Sequence, residues 1–279
     1  MYSLVLAVSN NISIVYTMKK VTIVMTVREK YSTTLQSIQS LKANTPDDLY
    51  DFILVDCGIP DDISGIETVI TSDTPIPQLN RIKAAELVQT KYTIFLDNDV
   101  IFEQNWLQNL LKCAEETNAG VVAPAYLWNK DKIHMYGGTI TIKEDGSFYE
   151  KHAMINEHRS VLRSQIRKTC DYIEYHCVLI KTELRELLDP SYRCVHEHID
   201  LCLCAKQMGH EIYIEPTSVV TYLNNAKLKD YDIDFFKNRW VGDDCEHDID
   251  HFCGKWGFPN TTFDDIRRFV KNHAKKGVI

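Results

Sequence analysis

The sequence predicts an α/β fold, in which a doubly wound, mostly parallel sheet is flanked by helices. The first observation is that short apolar, β-branched runs alternate with helical patterns up to about residue 125, as parallel βαβ units require. The second is that polar residues directly follow three of these runs. Ligands of such sheets bind beyond the carboxyl ends of the strands, so the pattern also predicts where a site lies.

The predicted strands of the first half are uninterrupted apolar runs, which are typical of strands buried on both faces. They cover residues 21–27, 52–55, 92–96 and 120–124. Helices are predicted between them where apolar residues recur at helical spacing. These helices cover residues 33–43, 80–89 and 106–117, and the Pro-containing segment 74–77 is interpreted as a breaker.

The second half begins with a polar, turn-rich stretch, in which Asp145-Gly146 predicts a hairpin turn. A strand over 172–181, a helix over 200–208 ended by Gly209, and strands within 211–223 are predicted next. Beyond about residue 226 the composition becomes charged and aromatic. We therefore divide the chain into a leader or extra strand (1–20), a main domain (21–225, with halves 21–125 and 126–225) and a helical extension packed on the core (226–279).

Composition excludes several classes of protein. The 279 residues carry a net charge of −8, which argues against a nucleic-acid binder that works through general electrostatics. The nine cysteines include no Cys-x-x-Cys, so we expect reduced thiols and a cytoplasmic location. Residues 1–17 are too interrupted for a membrane span or a good signal peptide. The basic segment 267–276 predicts a solvated helix end or, as the lesser alternative, peripheral contact with an anionic membrane.

Asp97-Asn98-Asp99 is the strongest candidate site, because it ends the predicted strand 92–96. Two carboxylates one residue apart can hold Mg²⁺ or Mn²⁺, and such an ion binds the phosphates of a substrate. Residues 26–29 and Asp56 follow two neighbouring strands, so all three polar segments are expected to line one crevice.

Several stretches, taken in order, resemble the family 2 glycosyltransferases of the GT-A fold over roughly residues 20–223. They read VTIVMTVRE, FILVDCG, YTIFLDND, HCVLIKTEL and DPSYRCVHEHIDLCLCAKQMGHEIYIEPTSVVTY. The resemblance implies an inverting, metal-dependent glycosyltransferase that uses a nucleotide-sugar, with a UDP-sugar expected. It also implies an acceptor that is a glycan, a lipid-linked molecule or another hydroxyl compound.

The resemblance also implies roles for individual residues. Asp99 would ligate Mn²⁺ or Mg²⁺ directly, and Asp97 would face the ribose, a metal-bound water or the metal itself. The residues that match nucleotide-binding positions are Thr26, Glu29, Asp56, Arg81, Asp97 and Asn98. Tyr222 stands where many members place a metal-binding His, so further ligands would have to come from elsewhere.

The segment Glu197–Asp200 matches the part of the family that supplies the general base. Family members often have Glu-Asp where this chain has Glu197-His198, and the Asp is commonly the base. The base is therefore predicted to be Glu197, then Asp200, then His198. Asp200 has an alternative role as the cap of a helix that starts there, and His198 has one as a residue that orients Glu197.

Other functions remain open at this point. A nucleotidyltransferase shares the sheet, the metal and the nucleotide, although residues 26–30 lack the usual Gly. A nucleotide-sugar or carbohydrate-binding protein without catalysis is a further alternative. The segment Cys245-x-His247-x₃-His251-x-Cys253 has zinc-ligand types but not the spacing of a common zinc module. His176 could narrow the acceptor site, and Trp240 and Trp256 could stack an acceptor sugar or simply pack.

Overall fold

The computed structural model describes residues 19–66, 68–128, 131–223 and 227–275. Among them, ten strands form one mixed sheet and two form a hairpin. The strands are β1 Val21–Thr26, β2 Tyr50–Asp56, β3 Val69–Thr71, β4 Tyr92–Asp97, β5 Val100–Phe102, β6 Val121–Trp128, β7 Lys132–Met135, β8 Gly138–Ile142, β9 Phe148–His152, β10 Lys168–Thr169, β11 Cys177–Lys181 and β12 Ile212–Tyr222. The α-helices are α1 Thr34–Asn44, α2 Pro77–Ala85, α3 Trp106–Thr117, α4 Glu197–Gln207, α5 Ile233–Trp240, α6 Asp244–Trp256 and α7 Asp264–Ala274.

The main path through the sheet is β10-β12-β6-β11-β4-β1-β2-β3. Strand β1 lies parallel to both β2 and β4, and β12 lies parallel to β6, whereas β11 is inserted antiparallel between β4 and β6. Every residue of β1 and β4 is buried, as their uninterrupted apolar runs require of central strands. The predicted α/β fold is thus confirmed.

Two helices begin earlier than predicted. Helix α2 starts at Pro77, three residues before the predicted start. Proline is tolerated there because the N–H groups of the first helical turn have no partner within the helix. Pro77 is therefore part of the helix and not of the breaker predicted over residues 74–77. Helix α4 starts at Glu197, after His196 in a left-handed conformation (φ 64°). Asp200 therefore lies in the first turn of α4 and is not its cap. The hairpin turn at Asp145-Gly146 does join β8 and β9.

The predicted strand 172–181 is shorter, since β11 begins only at Cys177. Residues 173–176 precede it as irregular chain, and this segment carries Glu174 and His176 to the carboxyl end of β4. The antiparallel pairing places Cys177 opposite Leu96, so His176 lies beside Asp97, whose backbone N–H donates to the His176 carbonyl at 3.2 Å.

Helices α5, α6 and α7 pack on the main domain. Phe148 of the hairpin contacts three aromatic rings of this region, with centroids 4.8–5.5 Å apart. The buried carboxylate of Asp248 accepts the backbone N–H groups of residues 193–195, directly before α4. The helical extension therefore shapes the loop that leads to Glu197. Most of the predicted leader, residues 1–18, lies outside the described residues.

No helix of the described segments combines the length and the apolar character needed to cross a membrane. All nine cysteines are free, and six of them are buried.

Candidate active site

A cavity of about 120 Å³ opens where β4, the segment before β11 and the start of α4 meet. Its polar wall includes Asp97, Glu174, His176, Glu197 and His198. Arg28, Arg81 and Arg239 add positive charge, and Trp240 and Phe269 from the helical extension cover one side. The cavity thus joins the predicted metal motif to the segment predicted to supply the base.

Asp97 is a buried carboxylate with several cationic neighbours. Arg81 Nη2 donates to its Oδ1 at 2.8 Å, Arg28 Nε lies 3.7 Å from Oδ2, and His176 Nδ1 lies 3.3 Å from Oδ2. Burial raises the pKa of Asp97, but His176, Arg81 and Arg28 outweigh it, so the pKa lies below its usual range. Asp97 is therefore ionised and held in one orientation.

Asp99 is the opposite case, since it is 1% exposed and neither carboxylate oxygen has a hydrogen-bond partner among the described residues. Burial, followed by the negative charge of Asp97, raises its pKa to about 6. A buried carboxylate without a partner is costly unless a ligand satisfies it. Ligand atoms of Asp97, Asp99 and His176 lie within 4.8 Å of one another. These three residues fit a divalent cation, and the imidazole favours Mn²⁺ over the all-oxygen preference of Mg²⁺.

His176 links this group to a second carboxylate. Its Nδ1 faces Asp97, while its Nε2 lies 2.9 Å from Oε2 of Glu174. Burial lowers its pKa, but Glu174 and Asp97 outweigh burial and raise the pKa to about 9. Its ring stacks on Tyr222 at 4.1 Å between centroids. Tyr222, which stands where the resemblance placed a metal-binding His, thus packs against a histidine from the irregular segment before β11.

Arg81 contacts both halves of the site. Its guanidinium lies 3.6 Å from Glu197 Oε1 and 4.0 Å from the ring centroid of Tyr175. Its Nε and Nη1 lack hydrogen-bond partners within the described part of the chain. With Arg28, it could bind an anionic group in the cavity.

Glu197 is a plausible proton acceptor on physical grounds. It is buried, its Oε2 has no hydrogen-bond partner within the described ranges, and this oxygen lies 3.9 Å from His198 Nδ1. Burial raises the pKa of Glu197, but His198 and the cations Arg81 and Arg239 outweigh it and lower the pKa overall. Glu197 is therefore ionised near neutral pH, and its Oε2 is available to accept a hydrogen bond.

Asp200, three residues later, accepts hydrogen bonds on both of its carboxylate oxygens. Tyr192 Oη and Trp256 Nε1 donate to its Oδ1 at 3.2 and 2.8 Å, and Lys255 Nζ donates to its Oδ2 at 2.8 Å. Asp200 does not line the cavity, whereas His198 does. Burial lowers the pKa of His198, which leaves it neutral near pH 7. The structure thus brings Glu197 and His198 to the cavity and ties Asp200 to α6.

The loop after β1 also contacts the helical extension. Glu29 Oε2 accepts hydrogen bonds from Trp240 Nε1 at 3.0 Å and from His273 Nε2 at 3.1 Å, and Lys30 Nζ lies 3.2 Å from Oε1. Thr26 ends β1 beside Asp97 in register, and its buried hydroxyl has no hydrogen-bond partner in the described ranges.

Asp56 and Asn98, the two remaining residues predicted to contact the nucleotide, accept hydrogen bonds from backbone N–H groups. Asp56 Oδ1 accepts the N–H groups of Gly58 and Ile59 at 2.9 and 2.8 Å, so the carboxylate holds the turn after β2. Asn98 Oδ1 accepts the backbone N–H of Arg28 at 3.0 Å, which joins the end of β4 to the loop after β1. Asp56 remains half-buried at the carboxyl end of β2.

The zinc-type pattern of α6 does not form a cluster. Groups of three or more potential ligands among the described residues do not include Cys245, His247, His251 or Cys253. His251 Nε2 instead contacts Asp189 at 2.9 Å. Trp240 and Trp256 donate their indole N–H groups to buried carboxylates, so both help to pack the extension.

Comparison with known proteins identifies the family and the fold. The family model described as "Glycosyl transferase family 2" matches residues 22–177. Among solved structures, one described as "Crystal structure of GalNAc-T7 with UDP, GalNAc and Mn2+" aligns with a TM-score of 0.58 at 15% identity, over 92% of this chain. This chain spans 55% of the length of that one. No curated protein matches. The fold is that of the GT-A glycosyltransferases, and the chain belongs to glycosyl transferase family 2.

Proposed function

We propose that this protein transfers a sugar from a UDP-sugar to an acceptor hydroxyl, with inversion at the anomeric carbon. The observation that carries the proposal is Asp99, whose buried, unpartnered carboxylate lies beside Asp97 and His176 at the carboxyl end of β4. Nothing else within the described residues satisfies that carboxylate, and a cation that also binds a diphosphate would do so. The similar solved structure contains UDP and Mn²⁺, as its description states.

The proposed metal ligands are Asp97, Asp99 and His176. When bound, Mn²⁺ supplies Lewis-acid stabilisation of the charge that develops on the leaving diphosphate. Arg28 and Arg81 lie within 4 Å of Asp97 and orient its carboxylate. Their guanidinium groups add positive charge on the same side of the cavity, so a diphosphate bound there meets donors that are already positioned. Thr26, Glu29, Asp56 and Asn98 are proposed to form or support the nucleotide pocket.

Glu197 is proposed as the general base. The acceptor hydroxyl would donate its proton to Oε2, the oxygen without a partner in the described residues, as the oxygen attacks the anomeric carbon. General-base catalysis of this kind contributes about 10²–10⁴-fold to the rate. Asp200 is the weaker candidate because Tyr192, Lys255 and Trp256 already donate to it, and His198 is better placed to orient Glu197.

The test is binding and turnover by the full-length protein. We expect UDP to bind in the presence of Mn²⁺ by calorimetry, and one member of a UDP-sugar panel to release UDP slowly without an acceptor. The Asp99→Asn variant should lose both properties, whereas Asp200→Asn should retain UDP binding. Proton NMR of the transferred sugar, once an acceptor is found, reports whether the anomeric configuration inverts.

Three results would contradict the proposal. UDP binding that ignores Mn²⁺ would remove the metal from the donor site. Normal turnover by Asp99→Asn would remove this carboxylate from it. Binding of UDP-sugars with no release of UDP at any concentration of enzyme would favour a non-catalytic binding protein, and release of pyrophosphate from nucleoside triphosphates would favour a nucleotidyltransferase.

A further inference from the structure

A second group of metal-ligand side chains lies beside the same cavity, which two of its three members, His152 and Glu174, line. Nε2 of His134 lies 2.8 Å from Oε2 of Glu174, and Nε2 of His152 lies 3.4 Å from Oε1. Ligand atoms of these three residues all lie within 4.8 Å of one another. They come from β7, from β9 and from the segment before β11, so only the tertiary structure assembles them.

We propose that His134, His152 and Glu174 bind a zinc ion, separate from the cation at Asp97 and Asp99. Two imidazoles and one carboxylate form a common protein ligand set for zinc with an open fourth position. Tetrahedral Zn–N and Zn–O bonds place the ligand atoms about 3.3 Å apart. The two contacts to Glu174 lie close to that spacing, so side-chain adjustments on the order of 1 Å form the site.

The surroundings hold these ligands in place. His176 Nε2 lies 2.9 Å from Glu174 Oε2, and this contact fixes the plane of the carboxylate. The ring of His134 packs against Trp128 and Tyr222, with centroids 4.8 and 5.7 Å away. Second-sphere contacts of this kind orient ligands and raise metal affinity. His152 and Glu174 line the cavity, so water or a substrate hydroxyl can take the open position.

The two sites differ in chemistry. The group at Asp97 and Asp99 is rich in carboxylate, which suits Mn²⁺, whereas imidazole is the ligand that zinc prefers. His176 touches both groups through opposite ring nitrogens, so it connects the sites without being required as a ligand of the zinc.

The experiment measures zinc binding by untagged, full-length protein after chelator treatment, without nucleotide. The Asp99→Asn background removes the competing site, and His152→Ala is then added to it, since His152 is only partly buried. His158→Ala, an exposed histidine of the following turn, is the matched control. Competition with a chromophoric chelator gives affinity, and elemental analysis gives stoichiometry.

We expect one zinc per chain in Asp99→Asn and in its His158→Ala derivative, and an affinity at least about 100-fold weaker with His152→Ala. Co²⁺ should give visible absorption typical of four-coordinate cobalt in the first two proteins only. Equal zinc affinity with and without His152→Ala would overturn the proposal, as would a folded Asp99→Asn protein that binds no zinc. If circular dichroism shows that the His152→Ala derivative is misfolded, Glu174→Gln in the same background decides. Because no nucleotide is used, failure here leaves the proposed sugar transfer untouched.

Discussion

The two acidic segments of the site differ in how many partners their carboxylates have. At the end of β4, Asp97 is paired with cations while Asp99 has no hydrogen-bond partner among the described residues. At the start of α4 the order is reversed, since Glu197 keeps an unpartnered oxygen and Asp200 is held by three donors. Each segment therefore contains one carboxylate that other protein groups already engage and one that keeps oxygen atoms without a partner among the described residues.

The role of a buried carboxylate in a folded protein depends on whether hydrogen-bond donors surround it. A buried acceptor with a full set of donors contributes to stability, and its loss leaves those donors unsatisfied. A buried acceptor without donors costs stability and is retained for what it binds. Residues two or three positions apart in one motif can thus differ in whether other protein groups engage them.

The largest effect is expected from Glu197→Gln. Glutamine keeps the shape of the side chain but cannot accept the proton, so kcat should fall about 10²–10⁴-fold. UDP affinity in the presence of Mn²⁺ should remain unchanged, because the metal and the cations near Asp97 are intact. Steady-state transfer and calorimetry measure the two quantities separately. Near-normal turnover would mean that Asp200 or His198 is the general base. The distinction between a catalytic Glu197 and a structural Asp200 would then be wrong.

Asp200→Asn should act on stability instead. The substitution removes the charge that pairs with Lys255 and weakens the hydrogen bonds from Tyr192 and Trp256. We expect a loss of about 2–3 kcal/mol in the free energy of unfolding, since one buried partner of a charged network is lost. Chemical denaturation measures the loss, with the exposed Asp265→Asn as the control. An unchanged free energy of unfolding together with abolished transfer would make Asp200 catalytic.

Asp99→Asn should stabilise the metal-free protein. Burial raises the pKa of Asp99 to about 6, so the folded state holds this proton more tightly than the unfolded chain does. The wild-type protein therefore loses stability as pH rises through the window from about 4 to about 6. At pH 7.5 the variant should be more stable by about 1–3 kcal/mol.

Denaturation in the presence of EDTA at pH 7.5 and at pH 4 checks this sign. The difference between the wild type and Asp99→Asn should be nearly absent at the lower pH. A variant that is less stable than the wild type at pH 7.5 would mean that Asp99 has a structural partner, as Asp200 does.

The smallest effect concerns the pH dependence of Mn²⁺ binding. Protons on His176 and Asp99, whose pKa values are raised to about 9 and about 6, compete with the metal, so affinity should fall as pH falls below about 9, by up to about tenfold per pH unit, and more steeply below about 6. Calorimetric titration of Mn²⁺ across this range measures the slope. An affinity that does not change between pH 5 and pH 7.5 would place the metal elsewhere.

Much of the fold was predictable because central parallel strands are uniformly apolar. The runs that became β1 and β4 are buried along their whole length, and helix α3 begins and ends where its spacing predicted. The predicted starts of α2, α4 and the strand that follows His176 were wrong. Pro77 begins α2, the left-handed His196 precedes α4, and antiparallel pairing with β4 begins at Cys177. The spacing of hydrophobic residues reveals none of these three features.

The sequence by itself determined the family, the α/β sheet and the position of Asp97 and Asp99, because strand ends and acidic spacing are local properties. Only the tertiary structure decided which carboxylates lack partners. It brought His176 beside Asp97, tied Asp200 to Lys255, and joined Glu29 to Trp240 and His273. It also assembled His134, His152 and Glu174, which share no motif. Such contacts join residues far apart in the chain, so their presence depends on how the elements pack and not on any local pattern.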